Sequence, residues 1–575
     1  MVHTPPASGA DPAQAGAAWI LRTDTPVRST TGGFLSGLRF AVKDNIDVAG
    51  LPTTAACPAF ARVPHTHATV VRKLLDAGAQ LLGKTNLDQF ACGLNGTRSP
   101  YGAVPNALNP RFVSGGSSSG SAHVVATGEA DFALGTDTAG SGRVPAGLQN
   151  IVGLKPSRGL ISAFGVVPAA QSVDCVSIFA PTVALAAKVL QAAMGHDAQD
   201  PYSRAVALAR EPFAKGFRFG VPDKLEFFGD SLAEAAFGEA LGRLQDLGGS
   251  PVSVDYAPLG EAASLLYDSA LVAERYAAVR TFFDSRSHEV IEPVRGIIGR
   301  GTNYSAADYC DALTRLHALA QRAAPMWDRI DVLAVPTAPT HYTIEQMRAD
   351  PVALNRNLGT YTNFVNLLDY AALAVPASMR PDGLPFGITL IGRCGSDLQL
   401  AELGQRFHHA TGLTQGATGR PLPPPQPIPG IEAARTVQVA VVGAHLSGMP
   451  LNHQLTDRGA ILLREARTAP DYRLFALPGT TPAKPGLLRV ASGTGCHVAL
   501  EVWSMPLREY GSFVAAIPAP LGVGTLLLED GTQVQGFLCE SLAVQGAEDI
   551  SSHGGWRAYQ AALQSRATHI LTPYP

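Results

Sequence analysis

Two knots of small residues, SGGSSSGS at 114–121 and TDTAGSG at 136–142, lie within residues 111–159 on either side of a helix-like and then strand-like apolar segment. Glycine and serine at this density make a poor core. They suit a backbone that must approach a ligand closely and offer it N–H groups. A serine hydroxyl is a weak nucleophile at neutral pH and needs a neighbour to take its proton. Upstream, Lys43 closes a strand-like run in LSGLRFAVKDNID (35–47). On a surface, its stem would lie along the sheet and its ammonium would stay in water. Buried, its pKa would fall and the neutral amine could act as a base. Successive N–H groups in a glycine-rich turn can hold an oxyanion, at about 3 kcal/mol per donor. Together these residues could serve acyl transfer; by spacing alone a ligand-binding loop of unspecified purpose is the leading alternative.

Other patterns compete for attention. Residues 78–85, GAQLLGKT, match the P-loop pattern letter for letter. A P-loop follows a strand and has a flexible interior; here a helix-like stretch precedes, and the interior is apolar. Residues 116–120, GSSSG, fit the nucleophile elbow with Ser118 at its centre, but the short run before them, with Pro110 close by, is a poor strand, and no histidine partner is evident. His65 and His67 have the spacing of a strand-borne metal pair without a third ligand, so a solvated loop and no metal are expected. His408 and His409, on a helix expected over 397–411, read as surface residues.

These groups need a scaffold. Strands are expected at 39–42, 79–83, 129–135, 217–221 and 331–335, and helices at 68–77, 232–247 and 305–322. That alternation argues for an α/β sheet with helices on its faces. Residues 1–17 read as a loose N-terminus and 18–415 as the first domain. From Pro421 to Pro429, six of nine residues are proline, which marks a semi-rigid linker over 416–436. Beyond it the texture changes to short strands at 437–442, 472–476, 487–491, 497–503, 524–528 and 533–538, then a helix at 556–564. Residues 437–575 therefore read as a second, smaller, β-rich domain.

Of 575 residues, 46% are hydrophobic and 16% charged, which suits a well-cored chain. A net charge of −3 gives no drive towards nucleic acid or anionic membrane. Seven scattered cysteines without a C-x-x-C pair argue for reduced thiols in the cytoplasm, and no apolar run is long enough for a membrane span.

The segments VKDN (42–45), GKTNLDQFA (83–91), GGSSSGS (115–121), GTDTAGSGRVPA (135–146) and GLKPSRG (153–159) resemble the amidase signature family, in order and at family-like spacing, from about residue 19 to 413. The resemblance implies a central mixed β-sheet flanked by helices. It assigns Ser141 as nucleophile, Ser117 as the bridging serine after a cis peptide, and Lys43 as general base. The N–H groups of Thr138, Ala139, Gly140 and Ser141 would form the oxyanion hole. Where most relatives read DTGGS, this chain has Asp137-Thr138-Ala139-Gly140-Ser141; together with SVDCVSIFA (172–180), LLYDSALVAERYAAV (265–279) and the added C-terminal region, this is similar to the allophanate hydrolase branch. That branch implies allophanate as substrate, Tyr267 and Arg275 as carboxylate ligands on one face of one helix, Gly93 as a backbone contact, no cofactor, and a homodimer. The C-terminal part resembles a γ-glutamylcyclotransferase-like domain, with His445, His453 and Glu540 as candidate polar residues.

Overall fold

The computed structural model describes residues 17–29, 32–214, 216–432 and 435–570. The expected loose N-terminus lies outside the described residues, apart from residue 17. The chain divides into two compact units, Met1–Glu432 and Ala433–Pro575.

The first unit is built on eleven strands: β1 (Trp19–Val27), β2 (Arg39–Lys43), β3 (Gln80–Thr85), β4 (Phe132–Asp137), β5 (Val152–Lys155), β6 (Cys175–Ala180), β7 (Arg218–Pro222), β8 (Ser250–Val254), β9 (Val332–Pro336), β10 (Ala371–Met379) and β11 (Pro385–Gly392). They form one sheet in the order β1-β3-β2-β4-β6-β5-β10-β11-β9-β7-β8. Strand β2 runs parallel to both β3 and β4, while β4–β6, β6–β5 and β10–β11 are antiparallel, so the sheet is mixed. β4, β6 and β11 are buried throughout, as strands covered on both faces must be. Alternate side chains of β9 feed two different cores: Val332 and Ala334 belong to the main core of the unit, and Leu333 and Val335 to the core that includes the helix Ala257–Asp268.

This topology positions the chemistry. The carboxyl ends of three adjacent parallel strands, β3, β2 and β4, share one edge of the sheet. Ligands of open α/β sheets bind at such edges. Lys43 ends β2, the segment 86–98 leaves β3, and the 136–142 knot leaves β4.

The strand expected at 79–83 is present as Gln80–Thr85, and Lys84 there is spent on Asp44 (3.0 Å, both side chains fully buried), Thr53 Oγ1 and the Pro52 carbonyl, so this stretch is not a phosphate loop. Other sequence readings change. His408 is buried rather than on the surface, because its face of the helix Asp397–Ala410 turns towards the sheet; burial pushes its pKa down to about 4. The proline-rich stretch is tied to the first unit. Thr414–Gln415 (β12) pairs with Arg420–Pro421 (β13), Gly416 donates to the Asn150 carbonyl, and Ile428 is buried in the main core.

In the second unit, β14 (Thr436–Val441), β15 (Ile461–Arg467), β18 (Ala499–Pro506), β19 (Leu521–Leu527) and β20 (Gln533–Cys539) form a sheet in the order β15-β18-β14-β20-β19. β16 (Tyr472–Ala476) pairs with β17 (Pro485–Arg489) and β21 (Glu548–Asp549). Tyr472, Val502, Phe513 and Phe537 lie in their shared core. No described helix is long and apolar enough to cross a membrane.

Candidate active site

Lys43 is fully buried, with Nζ 2.6 Å from Ser117 Oγ and 2.8 Å from Thr136 Oγ1. The strand register prepares this contact: Val42 lies opposite Leu134 of β4, which places Lys43 level with Gly135, one residue short of Thr136. Burial pulls the Lys43 pKa down to about 7, against the raising pull of Asp88, Asp174 and Asp137. A lysine so placed has a neutral amine available at neutral pH. It is buried, and not a snorkelling surface residue.

Ser117 follows a cis Gly116–Ser117 peptide and precedes the helix Ser119–Ala126. The other serines of the knot fasten the loop to its surroundings. Ser118 Oγ donates to the Thr136 carbonyl (3.1 Å) and accepts its N–H (3.3 Å), Ser119 donates to the Asn86 carbonyl, and Ser121 to the Leu134 carbonyl. Ser118 thus has its oxygen turned to the strand and not to a substrate.

The second knot is held from three sides. Arg143 grips Asp137 with two 2.9 Å bonds, both side chains fully buried, and also reaches the Thr362 carbonyl and Asn366 Oδ1. Asn366 Nδ2 donates to the Asp137 carbonyl, and Thr362 Oγ1 to the Ala139 carbonyl. Thr138 Oγ1 donates to Asp174, whose pKa burial raises to about 6. None of Asp137, Arg143, Asp174, Thr362 or Asn366 was singled out from sequence. For the last two no signal existed, since they lie more than 200 residues along the chain from the loop they hold.

Within this loop Ser141 Oγ donates to the Gly93 carbonyl at 3.4 Å, which brings Gly93 and Ser141 together. Among the described residues no hydrogen bond joins the Ser117 and Ser141 hydroxyls. The Gly140 N–H departs from expectation. It donates to Asp137 Oδ1 at 2.9 Å, because Asp137 folds back under its own turn. No turn or loop hydrogen bond among the described residues uses the N–H groups of Thr138, Ala139 or Ser141.

Tyr267 and Arg275 do meet, though not on one helix. Tyr267 lies on Ala257–Asp268 and Arg275 on Ala273–Arg286; extended Ser269 and the 3-10 turn Ala270–Val272 separate them. Arg275 Nη2 donates to Tyr267 Oη at 3.1 Å, and the guanidinium lies 5.0 Å over the ring. Arg275 is 3% exposed, yet its Nε and Nη1 are buried without a hydrogen-bond partner. Unpaired donors on a buried cation are costly and suit an anionic ligand. Tyr267 also lines a cavity of about 260 Å³ with Leu94, Arg98, Asn355 and Asn363.

In the second unit, His445 lines a cavity of about 190 Å³ with Gln454, Lys484 and Phe537. Its Nε2 lies 2.9 Å from Gln454 Oε1, its ring stacks on Phe537, and burial lowers its pKa. His453 and Glu540 are exposed and do not line this cavity. The buried carboxylate of this unit is Glu501, which accepts from Ser447, Trp503 and Arg557.

Two family models match the chain: Amidase over residues 13–401 and Allophanate hydrolase C-terminal domain over 437–561. The chain is 44% identical to urea amidolyase of Saccharomyces cerevisiae over 92% of its own length, but it spans only about 30% of that protein. It is 35% identical to a component of the glutamyl-tRNA(Gln) amidotransferase of Thermosynechococcus vestitus, covering 66% of this chain and 85% of that one. Among solved structures, Kluyveromyces lactis allophanate hydrolase superposes with a TM-score of 0.72 at 41% identity, over 96% of this chain and 94% of that one.

Proposed function

The chain belongs to the amidase family, and from that premise we propose that it hydrolyses the terminal amide of allophanate through Ser141, Ser117 and Lys43. Neutral Lys43 draws a proton from Ser117 as Ser117 takes one from Ser141, once the Ser141 hydroxyl swings from the Gly93 carbonyl towards Ser117. Ser141 Oγ attacks the carboxamide carbon. The N–H groups of Thr138, Ala139 and Ser141 receive the oxyanion, aimed by the anchored turn. The returning proton leaves with ammonia, and water then releases N-carboxycarbamate from the acyl-enzyme. Arg275 and Tyr267 hold the substrate carboxylate.

The observation that carries the substrate choice is the buried Arg275 guanidinium with two donors unspent. Its partner in binding is an anion, and a carboxylate matches the fork. The matched C-terminal domain and the Kluyveromyces lactis enzyme support the same reading. The test is ammonia release from allophanate by the intact protein and by Ser141→Ala. The variant is expected to be inactive, and near-normal turnover would refute the mechanism.

The cavity at His445 supports a second, separate activity: decarboxylation of N-carboxycarbamate, giving ammonia and CO2 overall. A truncated chain ending near Pro429 should then release ammonia from allophanate but form CO2 slowly; unchanged CO2 yield would count against it. The free thiols fit a cytoplasmic enzyme, and the branch resemblance supports a homodimer.

A further inference from the structure

Asp88 has no assigned part in this chemistry, yet it is fully buried at the junction of the machinery. Its N–H donates to the Ser117 carbonyl at 3.1 Å. Its Oδ2 accepts from the N–H groups of Asn95 (3.2 Å) and Gly96 (3.1 Å), and its Oδ1 from that of Arg98 (2.9 Å). The carboxylate therefore closes the loop that presents the Gly93 carbonyl to Ser141. A Cβ on either Gly93 or Gly116 would run into Asp88 Oδ2, so the carboxylate fills the space between the Ser141 contact and the cis peptide of Ser117. One residue, bonding through its N–H and its carboxylate and packed against Gly116, thus ties together two parts that sequence places 24 residues apart.

We propose that Asp88 is a positioning residue for the relay: it sets the Ser117 and Gly93 peptides relative to each other and supplies a fixed negative charge behind Lys43. This rests on the reading of Lys43 as base. Three carboxylates face Lys43: Asp88 from the segment after β3, Asp137 from β4, and Asp174 from the segment before β6. Asp137 is neutralised by Arg143, and the Arg275 guanidinium acts on Asp174. Asp88 has no cationic side chain bonded to it among the described residues; its partners are backbone N–H groups. A neighbouring negative charge favours the protonated amine, so removing it lets Lys43 lose its proton at lower pH.

The test uses the full chain and a serine-directed fluorophosphonate, so that it does not depend on which amide is the substrate. The rate of Ser141 labelling is measured against pH in the wild type and in Asp88→Asn. The wild type is expected to gain rate as pH rises through about 7. In Asp88→Asn the midpoint should move down by about one pH unit, and the plateau rate should fall about tenfold or more as the two peptides lose register. A lowered plateau with an unmoved midpoint would mean a structural role alone and overturn the proposal, as would an unchanged profile. Should Asp88→Asn fail to fold, Asp88→Glu keeps the charge while displacing the loop: a lowered plateau at the wild-type midpoint supports the proposal, and a shifted midpoint overturns it. Absence of labelling in the wild type itself would overturn the Ser141 reading, and this inference with it.

Discussion

The two regions that could do chemistry are built on different plans. In the first unit Ser117 and Ser141 sit on loops whose backbone is pinned by buried side chains, with Asp137 and Arg143 beneath the Ser141 turn and Asp88 beside the Gly93 and Ser117 peptides. In the second, His445 leans on a glutamine and two phenylalanine rings at the edge of a cavity that Lys484 also lines. A site that binds with backbone N–H groups needs its backbone fixed, and charge-assisted bonds are the strong means of fixing it. A cavity that offers its polar groups as side chains needs less of that anchoring.

That contrast can be broken by substitution. Lys43→Ala and Ser117→Ala should each cost roughly 10³-fold in ammonia release from allophanate, the range for losing a general base or its relay; a loss under tenfold in either would remove it from the relay. Arg143→Leu leaves Asp137 as an uncompensated buried charge and should destabilise the first unit by about 3–5 kcal/mol. Denaturant unfolding of the full chain followed by the fluorescence of its four tryptophans, of which Trp19 and Trp327 lie in the first unit, would detect this, and unshifted midpoints would show that the pair does not hold the turn. At the small end, His445→Ala should leave ammonia release within about twofold while slowing CO2 formation. Equal slowing of both products would mean that the two regions are not separate in function.

How much of this was legible in the sequence follows the same division. The serine and glycine knots could be read because backbone approach restricts residue type at each position; Lys43 could be read only through the family resemblance, because a lysine that ends an apolar strand equally suits the surface. The bonds that hold the knots could not, since Thr362 and Asn366 reach the loop only through the order of the sheet. The single helix expected to carry Tyr267 and Arg275 fails at Ser269, whose side chain accepts the Leu271 N–H and starts a new turn; apolar spacing continues smoothly across that break and hides it. His408 misled because two adjacent histidines read as polar surface, whereas one of them faces the sheet. His453 and Glu540 were candidates only through the resemblance of the C-terminal part; both are exposed, and neither lines the cavity at His445. In the second unit β15 and the helix Leu507–Ala515 were missed, the first because its side chains are largely exposed and show no alternation.

The central claim is that a base–relay–nucleophile site is directed to a carboxylate-bearing amide by Arg275. It is tested most directly by ammonia release from allophanate, malonamate, biuret and a simple aliphatic amide, in the wild type and in Arg275→Leu. The wild type should favour the two carboxylates, and Arg275→Leu should lower kcat/KM for allophanate roughly 10²-fold, the loss of one or two charge-assisted bonds, with biuret and the aliphatic amide little changed. Equal wild-type turnover of allophanate and the uncharged amides, or an Arg275→Leu enzyme that still prefers allophanate, would contradict it.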